Sequence, residues 1–235
     1  MKAINLNQII EKSSYHTKYE AIIDVKKKEI YAYEALAKFN INETIATTDE
    51  IFRHLHQNNN LFYEIEKRNK LHQIKHAPLN YKTFVNFDAD VAKTSLQQEY
   101  WDSFLEKNRE KIVVEITENG SDDEKSANIM KDFSSWLKSK KIITALDDFA
   151  QEGSMFSFYI MKNSEYIKID RSFLREIEKN PNYIYYLEGV IKTIQSNGQK
   201  TIIEGVETKE DLNLVKKLGS NYMQGYYFSH LTQIK

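Results

Sequence analysis

The sequence predicts an α/β protein, a (β/α)8 TIM-like barrel with an antiparallel first strand. Three observations lead there. Apolar runs of strand length alternate with helical patterns along the chain, as a parallel sheet requires. Eight such runs fit into 235 residues, a length that α/β barrels fill as one domain. The first two runs are joined by only Lys26-Lys27-Lys28, a connection short enough to make them an antiparallel hairpin.

Composition narrows the class. With 41% hydrophobic residues the chain can build a large core, and 7 Gly and 2 Pro leave little for linkers. No domain boundary stands out, so residues 1–235 are expected to be one domain. Thirty-three Lys plus Arg against 34 Asp plus Glu give a net charge of −1, so no field recruits a nucleic acid polymer. The absence of Cys excludes thiolate metal sites, disulfides and cysteine nucleophiles. The N-terminal MKAINLNQIIEK lacks a signal-peptide core and no apolar run approaches a membrane span; the expectation is a cytoplasmic protein with no membrane partner.

The hairpin strands are Tyr19–Val25 and Glu29–Phe39. Thr48–Gln57 and Leu61–Ala77 read as helices, the first capped by Thr48 or Asp49 and the second stopped by Pro78. Thr83–Phe87 is the third strand, about Lys93–Asn108 a helix, and Lys111–Thr117 the fourth strand. Asp122–Lys140 carries Ile129, Phe133, Trp136 and Leu137 at helical spacing. The fifth strand is Ile142–Leu146; the sixth, after a short helical piece, is Tyr166–Ile169. Pro181 opens a helix to about Ser196, Lys200–Ile203 is the seventh strand, and Gly219 closes a helix over Asp211–Leu218. The eighth strand begins near Tyr222.

Strands two to eight each end in polar groups: Glu34, Asn86, Glu115, Asp147 with Asp148, Lys168, Glu204 and Gln224. Taken singly, Glu34 reads as a solvent-facing strand residue, Asn86 as a turn former and Lys168 as a partner for Asp170. In a barrel they converge on one ring at the carboxyl ends of the strands, where barrel enzymes keep their active sites. The ring offers oxygen ligands and neither Cys nor His, which suits hard cations such as magnesium or manganese. Consecutive Asp147 and Asp148 provide a bridging carboxylate and a second ligand, as two ions about 3.5–4 Å apart need. His72 and His76 stand four apart on a helix, but with no third ligand they read as a solvated face.

From about Tyr19 to Ser229 the chain resembles the EAL-domain family of cyclic di-GMP phosphodiesterases. The strings that carry the resemblance are YEAL at Tyr33–Leu36, VN at Val85-Asn86, EITE at Glu115–Glu118 and DDF at Asp147–Phe149, followed by KID at Lys168–Asp170, EGVET at Glu204–Thr208 and QGYYFS at Gln224–Ser229. The resemblance implies hydrolysis of cyclic di-GMP to linear pGpG. Two ions, Mg2+ or Mn2+, would be held by Glu34, Asn86, Glu115, Asp147, Asp148 and Glu204, with Asp147 bridging. Lys168 would position or deprotonate the attacking water, with Glu118 and Glu207 completing the catalytic set by holding loops and ligands. Glu20, Leu36, Lys38, Asp170 and Gln224 would serve substrate binding. The family's dimer contact implies a homodimer here too. Departures accompany these matches. The family's Gly-Thr-Gly-Tyr-Ser-Ser after DDF is Ala150–Met155 here, its Gln-Pro is Glu20-Ala21, and its Arg after EAL is Lys38. They keep open an alternative: an inactive receptor for cyclic di-GMP, or a protein-interaction regulator.

Overall fold

Every barrel strand alternates between two apolar surfaces, and that alternation builds the molecule. In the computed structural model, which describes residues 14–40, 48–116, 124–151 and 158–235, β1 (Ser14–Asp24) and β2 (Ile30–Asn40) form the antiparallel hairpin. Asp24 makes its turn, Oδ1 accepting the backbone N–H groups of Lys26 and Lys27 at 2.9 and 2.8 Å. Strands β3 (Lys82–Phe87), β4 (Ile112–Ile116), β5 (Thr144–Phe149), β6 (Tyr166–Ile169), β7 (Lys200–Ile203) and β8 (Tyr222–Met223) follow, each parallel to the one before. β8 then pairs antiparallel with β1 through Ile23 and Asp24 and closes an eight-stranded barrel. A ninth strand, β9 (Gln233–Ile234), adds to β1 at Lys18 and Tyr19.

The outward faces carry Val85, Phe87, Val114, Ile116, Leu146, Ile167, Ile169, Ile203 and Met223, buried with helix residues such as Trp101, Leu137, Leu187 and Val215. Each such side chain contributes about 1.5–3 kcal/mol by leaving water. The inward faces make a separate cluster of Ile22, Ala32, Phe84, Val113, Ala145, Tyr166, Ile202 and Tyr222, one residue from each barrel strand. Below it Tyr31 stacks on Tyr222 with centroids 3.9 Å apart, and its hydroxyl lies 2.5 Å from that of Tyr166. This layer fills the barrel's centre and forms the floor of the site.

The helices are α1 (Thr48–Leu55), α2 (Asn59–Lys75), α3 (Ser95–Asn108), α4 (Glu124–Ser139), α5 (Phe158–Asn163), α6 (Ser172–Lys179), α7 (Tyr183–Ser196) and α8 (Lys209–Leu218). Reciprocal capping boxes start two of them, Thr94 with Gln97 on α3 and Thr208 with Asp211 on α8. Gly219, at φ 75°, ends α8 in the left-handed conformation that glycine adopts without strain. None of the described helices is long and apolar enough to cross a membrane.

Besides β9, which was not expected, three elements differ most from the sequence expectation. β1 begins at Ser14 rather than Tyr19, because its extension alternates polar His16, Lys18 and Glu20 with Thr17 and Tyr19 and is held by pairing to β2 and β9. β5 runs on through both aspartates to Phe149. α6 stands where no helix was expected: only Leu174 and Ile177 are buried on it, a stripe too thin to read in sequence.

Candidate metal centre

Two residues beyond the apolar floor, the parallel strands deliver Glu34, Asn86, Glu115, Asp147, Lys168, Glu204 and Gln224, and antiparallel β1 delivers Glu20. The same period of two that buries the floor therefore points this polar layer inward. Lys168 stands at its centre. Its Nζ lies 2.7 Å from Glu115 Oε1, 2.8 Å from Asp147 Oδ1, 2.9 Å from Glu204 Oε1 and 3.4 Å from Glu34 Oε2. Glu34 Oε1 accepts from Asn86 Nδ2 at 3.2 Å and its Oε2 from Gln224 Nε2 at 2.5 Å.

An ordinary strand would send Asp147 and Asp148 to opposite faces. Here the β5–β6 register shifts between Leu146 and Phe149, and Asp148 takes φ 54°. This bulge re-aims the second carboxylate. Oxygens of Asp147, Asp148 and Glu204 then lie within 4.8 Å of one another, as do those of Glu34, Glu115 and Asp147, so Asp147 belongs to both groups. Gln224 is fixed by a close approach of backbones. Val206 N–H donates to Gln224 O at 3.0 Å, and a Cβ on Gly225 (φ 156°) would stand 2.3 Å from Val206 N.

Burial raises the carboxyl pKa values, and mutual repulsion adds to it: Glu115 lies well above the ordinary range, Asp147 is raised, Glu204 is pushed up to about 8 and Asp148 to about 6. Burial opposes the Lys168 ammonium too, but Asp147, Glu115, Glu204 and Glu34 outweigh it and hold its pKa well above that of an ordinary lysine. Three N–H donors cannot satisfy this many carboxylate oxygens. Glu115 Oε2 is buried without a hydrogen-bond partner, a costly state for such an atom. An orphaned buried oxygen within an all-oxygen donor set fits a hard divalent cation.

The other expected residues fall around this centre. Leu36 is half-buried and Lys38 exposed, both on the inward face of β2 above Glu34. Asp170 accepts from the backbone N–H of Ser172 at 2.9 Å and from its hydroxyl, so it anchors the start of α6. Glu207 is not gathered into the ring; it is exposed, with Oε1 3.8 Å from Arg171 Nη1. Glu118 and residues 152–155 of the altered loop lie outside the described residues, while Ala150 is described and has φ 65°. His72 is no bare solvated residue: its Nδ1 lies 3.0 Å from Thr17 Oγ1. Two features escaped sequence reasoning. Lys18 lies 2.5 Å from Glu20 Oε1, and its place two residues before Glu20 on one strand was the available signal. His56, Asp88 and Asp90 form a further cluster, with His56 Nε2 3.3 Å from Asp88 and Nδ1 3.3 Å from Asp90; it joins positions distant in the chain and had no signal in the sequence.

Residues 4–230 match the sequence pattern of the EAL domain. The probable cyclic di-GMP phosphodiesterase PdeN of Escherichia coli (strain K12) is 24% identical over 239 residues, an alignment covering 94% of this chain and 44% of PdeN. The chain thus spans less than half of that relative. The barrel is similar to the FimX EAL domain of Pseudomonas aeruginosa bound to c-di-GMP, with TM-score 0.77 at 21% identity, covering 95% of this chain and 94% of that one. It is also similar to the manganese and cyclic di-GMP complex of Klebsiella pneumoniae BlrP1, with TM-score 0.74 at 19% identity, covering 93% of this chain and 56% of that one. Structural likeness at such identity speaks for the fold; the pattern that runs through nearly every residue speaks for descent, and by it the chain belongs to the EAL domain family.

Proposed function

We propose that this chain hydrolyses one phosphodiester bond of cyclic di-GMP to give linear pGpG, using two divalent cations, Mg2+ or Mn2+. The observation that carries the reading is the pair of carboxylate groups sharing Asp147 around Lys168, at the carboxyl ends of the strands. Glu34, Asn86, Glu115, Asp147, Asp148 and Glu204 would hold the ions, which when bound supply an acidified water and neutralise charge on the phosphoryl oxygens. Water adds across the phosphorus–O3′ bond: a new phosphorus–oxygen bond forms, and the departing O3′ leaves as a hydroxyl with water's second proton. Lys168 carries a raised pKa, so this chain uses it as an ammonium donor that orients water or a phosphoryl oxygen. Gln224, with Nε2 on Glu34, orients that ligand, and the floor below it keeps bulk water out of the barrel. Leu36, Lys38 and Glu20 line the approach. The complexes of FimX and BlrP1 with cyclic di-GMP, the second with manganese, support the choice of ligand and ion.

Ala150 favours a second reading. Its φ of 65° puts a residue with a Cβ in the left-handed region one step after the DDF string. A chain strained there would bind the dinucleotide as a receptor and turn it over slowly or not at all. Incubation with cyclic di-GMP and Mn2+ or Mg2+, with chromatographic detection of pGpG, tests both. Product that disappears with EDTA supports the hydrolase; tight binding without product supports the receptor; neither binding nor product overturns both.

A further inference from the structure

The β1–β2 hairpin outruns the barrel, and its inward face continues past the carboxylate ring. Outward from Glu34 on β2 come Leu36 and Lys38; opposite them in the register, outward from Glu20 on β1, come Lys18 and His16. β9 pairs with Lys18 and Tyr19 and steadies this wall. Lys18 Nζ lies 2.5 Å from Glu20 Oε1, and the two side chains are 35% and 25% exposed. Glu20 Oε2 is 3.5 Å from Gln224 Nε2, which in turn donates to Glu34 at 2.5 Å. A file of polar contacts therefore joins the open wall to the centre of the ring.

Charge along this file poses a problem for an anionic ligand. The ammonium of Lys168 sits in the ring among four carboxylates and not at the wall. A phosphodiester entering along β1 meets the Glu20 carboxylate, which repels it unless a cation stands beside it. Lys18 is that cation, and the pair is partly exposed, so a ligand can reach and part it.

We propose that Lys18 and Glu20 form a reading pair for a guanine dinucleotide, a proposal that rests on the function proposed above. The ion pair separates as the ligand docks: Lys18 takes a phosphodiester oxygen, and Glu20 accepts hydrogen bonds from the guanine N1–H and N2–H groups. A carboxylate offers acceptors only, which matches two donors on one base edge. Adenine presents an acceptor at N1, and a site built around an acceptor rejects it. Glu20 thus sets base preference, and Lys18 makes a carboxylate tolerable beside a phosphate.

The test measures equilibrium binding of cyclic di-GMP and cyclic di-AMP with calcium present, and kcat and KM with manganese. It compares wild type with Lys18→Met, Lys18→Arg and Glu20→Gln, alongside thermal midpoints. Lys18→Met should raise Kd and KM for cyclic di-GMP about tenfold while kcat falls less than twofold, with affinity recovered in Lys18→Arg. Glu20→Gln should cut the preference for cyclic di-GMP over cyclic di-AMP about tenfold. Midpoints should stay nearly level, since the pair is partly exposed. If Lys18→Met and Glu20→Gln leave affinity and preference within twofold, or if wild type binds both dinucleotides alike, the reading pair is wrong and the function stands. If wild type takes neither dinucleotide, the function falls and the pair with it.

Discussion

Lys168 decides the charge balance of the site, and its surroundings make stability depend on pH. Glu204 moves from 4.5 to about 8 and Asp148 from 3.8 to about 6 on folding. A carboxyl whose pKa is higher in the folded state gains a proton on folding. Its stabilising effect is present at low pH and is lost as pH rises from the unfolded pKa through the folded one. The metal-free protein should therefore lose stability from about pH 4 to pH 8, on the order of a few kcal/mol, read from urea midpoints across that range. Lys168, raised above 10.5, keeps its proton throughout and adds nothing to the slope. Manganese should reverse the trend, since ligation needs deprotonated carboxylates and its thermal shift should grow with pH. Lys168→Met leaves buried carboxylates without their cation. It should cost about 3–5 kcal/mol, more at pH 8 than at pH 5, and abolish turnover. Asp147→Asn removes a charge from both ligand groups. Metal-free stability should hold or rise, while the metal-induced shift and turnover disappear; wild-type turnover in this variant would falsify its assigned role.

At the scale of elements, the end of β5 and the start of its loop carry the strain. Asp148 tolerates its positive φ better than Ala150 does, because Asp visits the left-handed region far more readily than other residues with a Cβ. Ala150→Gly should stabilise the fold by about 1 kcal/mol and raise the single-turnover rate more than it changes dinucleotide affinity. Gly225→Ala should do the reverse. Its Cβ would stand 2.4 Å from Val206 O, so β8 must shift, Gln224 leaves Glu34, and both thermal midpoint and turnover drop. These elements also mark where sequence was readable. Strand β7 ends where its apolar run meets Glu204, and the ring members were legible because polar tips close apolar runs. The end of β5 was not, because two adjacent aspartates erase the alternation and the bulge that re-aims Asp148 depends on its pairing with β6. Lys18 was legible as a neighbour of Glu20 on one strand, but its place opposite Leu36 depends on hairpin register, which the turn at Asp24 sets.

At the scale of the molecule, closure of the barrel joins residues 23–24 to residues 222–223 and so completes the site only when both ends of the chain are in place. The eight-residue floor and Tyr31 beneath it stop the barrel's axis from serving as a channel. Among the described residues the result is a cup whose doorway is its rim. If the chain acts as proposed, reactant and spent nucleotide would pass the same rim, and a new molecule could not enter until the last had gone. Traffic through that doorway should show as competitive inhibition: added pGpG should raise the apparent KM for cyclic di-GMP in initial-rate measurements and leave kcat untouched. A fall in kcat with KM unchanged would mean that pGpG also binds the dinucleotide-loaded protein, at a place other than this cup.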